Sequence, residues 1–483
     1  MDRADLIVVG AGAAGLYAAL CAAREGARVA LISARPLAET ASYWAQGGLA
    51  AALADDDSPE RHLEDTIAAG RGIVRASAAR ILAEEAPARF RDLERLGVRF
   101  DADRHGNLAL GLEGGHSRRR VAHAGGSATG RRILRQLSAG VAEHPDIDVR
   151  ESRRATALRA QDGRVTGLDT DDGGTLAARA VILATGGAAA LWSRTTNPPG
   201  SFGSGLLLAR AAGATLADLE FVQFHPTAVT GVPGREGFLA SEALRGEGAT
   251  LHDHSGERFV DELAPRDEVA RAIFRVLRAT GASAVHLDMR GVDPGRFPNI
   301  VAALRDAGLD PTRELVPVAP ASHFLMGGIA TDLLGRSAVA GLYAAGECAC
   351  TGLHGANRLA SNSLSECFVF GRRAALSALD APLPAGPAPP AQLPAEPEAP
   401  APTRATREAV WRLAGLERDA ARLTELLDDP HPLARLVARC ALAREESRGA
   451  HLRSDFSDTL SELEKSHTTL PSGAETPQFE VWR

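Results

Sequence analysis

Six short stretches place charged and hydrogen-bonding side chains in glycine-rich or proline-stopped settings. EGGHSRRR holds Glu113 and His116, EFVQFHPT holds His225, and SEALRGEG holds Ser241, Glu242 and Arg245. ELAPRDEVARAI follows with Arg266, PASHFLMGG with His323, and TGLHGANRLASNSLSEC, residues 351–367, with Arg358 beside His354 and Asn357. Singly, each has a plainer structural account. A histidine before proline ordinarily hydrogen-bonds within a core, and Arg266, followed by Asp267 and Glu268, reads as an ion-paired arginine at a helix start. Together, two arginines and two histidines suit a small dicarboxylate, because guanidinium forks grip carboxylates bidentately and imidazoles donate further hydrogen bonds. Glu113 adds a negative charge suited to an ammonium group, and a ligand with two carboxylates and one amine is aspartate. His252-Asp253-His254 has the spacing of a metal pair, yet HDHSGERF reads as a polar turn without a third ligand nearby, so no metal is expected.

Something must position these groups. Residues 5–33, DLIVVGAGAAGLYAALCAAREGARVALIS, read as strand, glycine turn, helix and strand. Gly10 makes the tight turn, Gly12 lets the backbone approach a pyrophosphate, and Gly15 permits close helix packing, with the helix N-terminus facing the anion. Ser33 stands where an acidic residue often holds a ribose, which weakens a nicotinamide reading and leaves FAD. ARAVILATGG (178–187) and GLYAAGE (341–347, ending on Glu347) read as two further buried strands of the same nucleotide fold. Alone, each is as well explained as an ordinary core strand. The expected architecture is α/β: a Rossmann-like FAD-binding domain of residues 1–215 and 326–380, with an inserted α+β capping or substrate domain of 216–325. A proline-rich linker of 381–403, too rich in proline for helix or central strand, leads to a C-terminal helical domain of 404–483.

Composition narrows the chemistry. The chain has 483 residues, 45% hydrophobic and 24% charged, with a net charge of −7, which argues against nucleic acid as the main partner. Lys465 is the only lysine. A pyridoxal Schiff base or a Walker phosphate loop, each of which needs a lysine in a formed site, is therefore excluded as a reading. Five cysteines in no cluster spacing fit a reducing cytoplasm, and any iron–sulfur chemistry would come from another polypeptide. The apolar run from Leu6 to Ala23 lacks a basic flank and carries three glycines, so it reads as the βαβ turn rather than a signal peptide or membrane helix, and no membrane span is expected.

GAGAAG, SYWAQGGLAAA, EGGHSRRR, LATGG, FHPTA, EALRGEG, ELAPRDEVARAI, GLYAAGE, TGLHGANRLASNSL and ESRGAH, in that order, resemble the succinate dehydrogenase/fumarate reductase flavoprotein family. Within it the chain is most similar to the branch that oxidises aspartate. The resemblance implies FAD-dependent oxidation of L-aspartate to iminoaspartate, with hydride passing to flavin N5 and O2 or fumarate as acceptor, in the first step of de novo NAD biosynthesis. It names a quinolinate synthase as candidate partner. Arg266 matches the arginine that exchanges a proton with substrate, and Glu242 and Arg245 its relay. His225, Ser241, His323 and Arg358 match the dicarboxylate ligands, and Glu113 the glutamate near the substrate amine. Gly10, Ala11, Gly12, Ala13, Ala14, Gly15, Ser33, Ala34, Ser42, Tyr43, Ala45, Gln46, Gly47, Gly48, Ser204, Glu347, Ser363 and Leu364 match flavin contacts.

Membrane-complex members carry a histidine, covalently bonded to FAD, where this chain has Ala41, so the resemblance implies a non-covalent flavin. Ser204 replaces the usual Asp, Ser241 the usual Thr, and Phe324 and Met326 more polar residues. A soluble fumarate reductase or succinate dehydrogenase-type subunit, or a non-catalytic flavin-binding protein, stays open at this point.

Overall fold

The unbroken apolar run Leu6–Val9 is the middle strand of a five-stranded, all-parallel sheet in the computed structural model, which describes residues 2–37, 39–382, 391–393 and 401–483. Val29–Ile32 and Ile147–Arg150 lie on one side of it, and Ala180–Leu183 and Leu342–Ala344 on the other. Both faces of such a sheet are covered, which is why its strands read as continuous apolar runs rather than alternating ones. The helix Ala13–Arg24 follows the first strand and packs on Asn362–Leu379. The turn between strand and helix admits no side chains at two points. Gly10 has φ +109°, and a Cβ on Gly15 would lie 1.8 Å from the Gly10 carbonyl oxygen.

A second sheet, built on the hairpin Ala155–Gln161 and Arg164–Thr170, packs behind the first. One of its edges is Ala391–Gln392, a described piece of the proline-rich stretch; residues 383–390 and 394–400 of the expected linker lie outside the described residues. An edge is where a proline-rich chain can add a strand, since only one side of its backbone needs partners. The segment 216–325 contributes an antiparallel sheet in the order Val222–Val229, Val316–Leu325, Val285–Asp288, Thr250–His252. The helices Arg266–Thr280 and Pro298–Asp306 pack with it. His252 is spent locally, its two ring nitrogens bonded to Thr250 Oγ1 and the Gly256 carbonyl.

The C-terminal segment departs from the all-helical expectation. Arg404–Leu413, Ala420–Leu426 and Pro432–Ala443 are helices, but Ser466–Leu470 and Gln478–Val481 form a hairpin joined to Leu216–Ala217 in a third sheet. The run SHTTL is fully buried despite its polarity, because its polar groups meet acids on the facing turn. His467 Nδ1 lies 2.6 Å from Asp218 Oδ2, and Thr468 Oγ1 2.5 Å from Glu220 Oε1. Arg444, with no solvent exposure, binds Glu220 Oε1 at 2.7 Å, Glu446 Oε1 at 3.0 Å and the Ser466 carbonyl at 2.8 Å, and it stacks 4.8 Å over Phe221. No helix among the described residues is long and apolar enough to cross a membrane.

A buried charge is costly to leave unpaired. Arg444→Ala leaves the buried Glu220 without its ion-pair partner and is expected to cost about 3–5 kcal/mol of unfolding free energy, read by denaturant titration; a loss under 1 kcal/mol would contradict this account of how the C-terminal segment is fixed.

Candidate functional site

One cavity of about 540 Å³ runs from the Gly10–Ala14 turn to Arg358. Its first half is built of backbone and small side chains. The Ala13 amide bonds Ser42 Oγ at 3.2 Å, and Ala11, Gly12, Ala45, Gln46, Gly47 and Gly48 line the wall with Ser363 and Leu364. Ser33 lines it too, its hydroxyl donating to the Arg35 carbonyl at 2.5 Å. Glu347 accepts from the Leu325 amide at 3.0 Å, and burial raises its carboxyl to about 7. The buried Thr185 Oγ1 and Gln46 Oε1 find no protein partner among the described residues. Backbone amides at a helix start, small side chains, an unsatisfied hydroxyl and an unsatisfied amide oxygen give the donors and acceptors that a flavin dinucleotide uses. The residues present therefore fit FAD.

The second half is charged. Arg266 starts the helix that the sequence assigned it, but Asp267 and Glu268 are not its partners. They bind Arg71, at 3.0 and 2.5 Å. Arg266 turns inward instead, with Nε 2.5 Å from Glu242 Oε2 and Nη1 3.0 Å from Gln223 Oε1. Glu242 also accepts from the Gly114 amide at 3.0 Å through Oε1, which lies 3.4 Å from Arg245 Nη2. That approach needs the glycine of EGGHS, since a Cβ on Gly114 would sit 2.2 Å from Glu242 Oε1. Burial alone would raise the Glu242 pKa, but the two guanidiniums outweigh it and hold the group below its ordinary value. Burial lowers Arg245, whose side chain has no exposure.

Arg358 approaches from the Thr351–Cys367 loop. It donates to Ser363 Oγ at 3.2 Å and lies 4.6 Å over the Phe324 ring, so the apolar replacement at 324 forms a shelf for the guanidinium. Burial first, and Arg266 second, pull its pKa down to about 9. His225 and His323, with ring centroids 5.1 Å apart, are held well below their usual value by burial and by the nearby arginines, so both are neutral. His225 Nδ1 accepts from the Thr227 amide at 3.3 Å, which leaves the proton on Nε2. His323 Nδ1 shares a 2.7 Å hydrogen bond with Thr196 Oγ1.

Four buried polar atoms of residues on this wall have no hydrogen-bond partner among the described residues: His225 Nε2, Ser241 Oγ, Arg358 Nε and Glu113 Oε1. Each unsatisfied buried group costs about 1–3 kcal/mol. All four belong to residues that line one cavity, and a polar ligand bound there would meet them.

Of the residues expected from the sequence, Gly15, Tyr43 and Arg245 do not line the cavity. Gly15 serves packing, Tyr43 packs edge-on against Trp44, and Arg245 stands behind Glu242. Sequence reasoning missed Gln223, which ties Arg266 to the Asn357 side chain at 3.0 Å and the Arg358 carbonyl at 2.8 Å. It also missed Ser361, in the left-handed region at φ +60°. Its hydroxyl donates to Glu113 Oε2 at 2.6 Å and accepts from the Gly48 amide at 3.1 Å. Gln223 stood inside QFHPT next to a singled-out histidine; nothing in the sequence marks Ser361 as strained.

Residues 5–364 match the FAD binding domain family, and residues 408–481 match the fumarate reductase flavoprotein C-terminal family. The chain belongs to the FAD binding domain family, and its cofactor is FAD. It is 47% identical to L-aspartate oxidase of Agrobacterium fabrum over 93% of this chain and 91% of that one, and 41% identical to L-aspartate oxidase of Streptomyces coelicolor over 99% and 94%. Its fold superposes on E. coli quinol fumarate reductase with a TM-score of 0.88 at 29% identity, covering 99% of this chain and 97% of that one.

Glu347 carries a pH signature in the flavin-free protein. Its folded pKa, about 7, lies above the ordinary 4.5, so the folded state holds the extra proton and stability is lost as pH rises from 4.5 through 7. The carboxyl edges the cavity, which keeps the effect to about 2 kcal/mol. Glu347→Gln is expected to remove that much of the fall in unfolding free energy between pH 5 and 8; identical pH slopes in the two proteins would refute the assignment.

Proposed function

We propose that this chain oxidises L-aspartate to iminoaspartate with non-covalent FAD, the reaction that opens de novo NAD biosynthesis. The observation that carries the reading is the convergence of His225 Nε2, Ser241 Oγ, Arg358 Nε and Glu113 Oε1 beside the Arg266–Glu242 pair. Arg358 and the neutral imidazoles of His225 and His323 hold the two carboxylates, with Ser241 adding a hydroxyl donor. Glu113 faces the ammonium group.

Charge supports aspartate over a plain dicarboxylate. The guanidiniums of Arg266 and Arg358 and the carboxylates of Glu113 and Glu242 line this end of the cavity, and Arg245, behind Glu242, adds one positive charge. Aspartate, with two carboxylates and one ammonium, brings one negative charge. Succinate or fumarate brings two, and sets one beside Glu113.

Bound FAD supplies the acceptor for a hydride from the substrate carbon, and is reoxidised by O2 or fumarate. Arg266 positions a substrate carboxylate and exchanges a proton with the carbon of a dicarboxylate, Glu242 bearing its charge and Arg245 continuing the relay. An arginine is a poor proton donor or acceptor at its usual pKa, and burial against Gln223 and Glu242 restricts it to one hydrogen-bonded orientation. Ala41 lines the cavity and offers no nucleophile for a covalent flavin bond. The segments 216–325 and 404–483 act as capping and buttressing units around the FAD-binding unit. Five unpaired cysteines support a reducing cytoplasm as its location, and a quinolinate synthase would take the product.

Purified protein with FAD and L-aspartate is expected to bleach the flavin anaerobically, to form hydrogen peroxide in air, and to convert fumarate to succinate without it. A flavin left yellow by aspartate would refute the reading. Arg266→Gln is expected to slow fumarate reduction about 10²–10⁴-fold, and a rate near that of the unaltered protein would remove Arg266 from the proton-exchange role.

A further inference from the structure

Oxidation of an amine and reduction of an alkene need their protons in different places. Fumarate must receive a proton at carbon, which the Arg266–Glu242–Arg245 chain faces. Aspartate arrives as an ammonium, and its nitrogen must lose a proton before the Cα–H electron pair can leave as hydride, because a protonated nitrogen has no lone pair to form C=N. The group beside that nitrogen is Glu113, on the proposed reading of the site. Glu113 is 2% exposed, so a proton taken there is sealed from bulk water unless a further group carries it out.

The neighbours of Glu113 divide clearly. Ser361 donates to Oε2 at 2.6 Å and fixes the carboxylate, leaving Oε1 as the free atom. His116, three residues on, is locked in place. Its Nε2 lies 2.9 Å from the Ala360 carbonyl and its Nδ1 3.3 Å from Arg120 Nη1, which makes Nε2 the protonated nitrogen and Nδ1 an acceptor. It has no ring nitrogen to spare. Arg245, whose charge also acts on Glu113, has no solvent exposure. His123 differs on both counts. Its Nε2 stands 3.9 Å from Glu113 Oε1, and its side chain is 15% exposed. Gly111 leaves the room for it, since a Cβ there would sit 3.0 Å from that nitrogen. Around His123, Asp101 is spent on the Gly125 and Gly126 amides and Arg132 lies against Gly125, so Glu113 is the charged partner its Nε2 faces.

We infer that Glu113 and His123 form a second proton route, one that drains the substrate ammonium during aspartate oxidation and is idle during fumarate reduction. An N–H bond of the ammonium breaks as an O–H bond forms at Glu113 Oε1. That proton passes to the His123 imidazole and leaves to solvent, while the electron pair of the Cα–H bond goes to the bound FAD and Cα–N becomes a double bond. The 3.9 Å gap is longer than a hydrogen bond, and one bridging water or closure on substrate brings it into transfer range. Glu113 touches the substrate; His123 acts through it.

The test rests on the aspartate reading and separates the two. Holoenzyme flavin reduction by aspartate is followed anaerobically in a stopped-flow instrument, and fumarate reduction is driven separately by a reduced viologen. His123→Ala is expected to slow aspartate-driven reduction at least ten-fold, to leave viologen-driven fumarate reduction within two-fold, and to regain aspartate activity on adding imidazole. His123→Gln, which keeps the volume and polarity but cannot shuttle a proton, is expected to show the same split without rescue, and FAD binding in both variants checks the fold. Aspartate and fumarate rates falling together, no change in either, or no imidazole rescue would each overturn the route. If aspartate fails to reduce the unaltered holoenzyme, the functional reading falls and this inference with it; if aspartate does reduce it and the variants show no split, only the inference falls.

Discussion

The buried Arg266–Glu242 pair, 2.5 Å apart with both side chains almost wholly out of solvent, is the constraint the rest of the site answers to. A charge pair in such a place is tolerated only when its remaining donors and acceptors are met with good geometry. Gln223 meets Arg266, the Gly114 amide meets Glu242, and Arg245 adds a second positive charge at 3.4 Å. The pair and its partners come from four separate stretches of chain, around Gly114, Gln223, Glu242–Arg245 and Arg266. Their satisfaction fixes the capping sheet, the EGGHS loop and the Arg266–Thr280 helix relative to one another. The ligand-facing atoms left over are then aimed by a frame that cannot easily relax to satisfy them internally.

That frame is held from outside as well. Gln223 reaches the Arg358 carbonyl and Asn357, so the loop carrying the second arginine is positioned by the residue that steadies the first. Behind it, the turn Asp218–Glu220 leads into the strand bearing Gln223 and His225, and the C-terminal segment locks that turn through Arg444, Thr468 and His467. The C-terminal unit contributes order to the site from a distance: its buried Arg444, Thr468 and His467 bind acids at the root of the strand that bears Gln223 and His225.

Much of the fold was legible because it is written locally. The period of Leu6–Ile32, its glycines and the buried strands at Ala180–Leu183 and Leu342–Ala344 obey spacing rules that need no knowledge of the rest of the chain. The hairpin at 466–481 was not legible, because SHTTL is polar and is buried only by acids almost 250 residues away. Local spacing singled out the chemistry-bearing residues one by one but did not pair them; only the family resemblance tied Arg266 to Glu242 and Arg245. Arg266 looked bound to Asp267 and Glu268, which instead serve Arg71, a residue no spacing rule connects to them. Ser361 and His123 were not singled out for the same reason, since spacing does not show the approach of Ser361 to Gly48 and Glu113 or of His123 to Glu113.

The loop 351–367 shows how one stretch serves two ligands. Arg358, on its Phe324 shelf, lines the charged half of the cavity, the substrate end on the proposed reading, while Ser363 and Leu364 line the half that fits FAD and open the helix Asn362–Leu379. Between them Ser361 adopts the left-handed conformation, which L-residues other than glycine and asparagine seldom take. The strain has a visible return. It points one hydroxyl at both the Gly48 amide, on the cofactor side, and Glu113, on the substrate side. A helical Ser361 would carry its hydroxyl away from both. The backbone twist at one residue is therefore what couples the flavin end of the cavity to Glu113, the carboxylate that on the proposed reading meets the substrate amine.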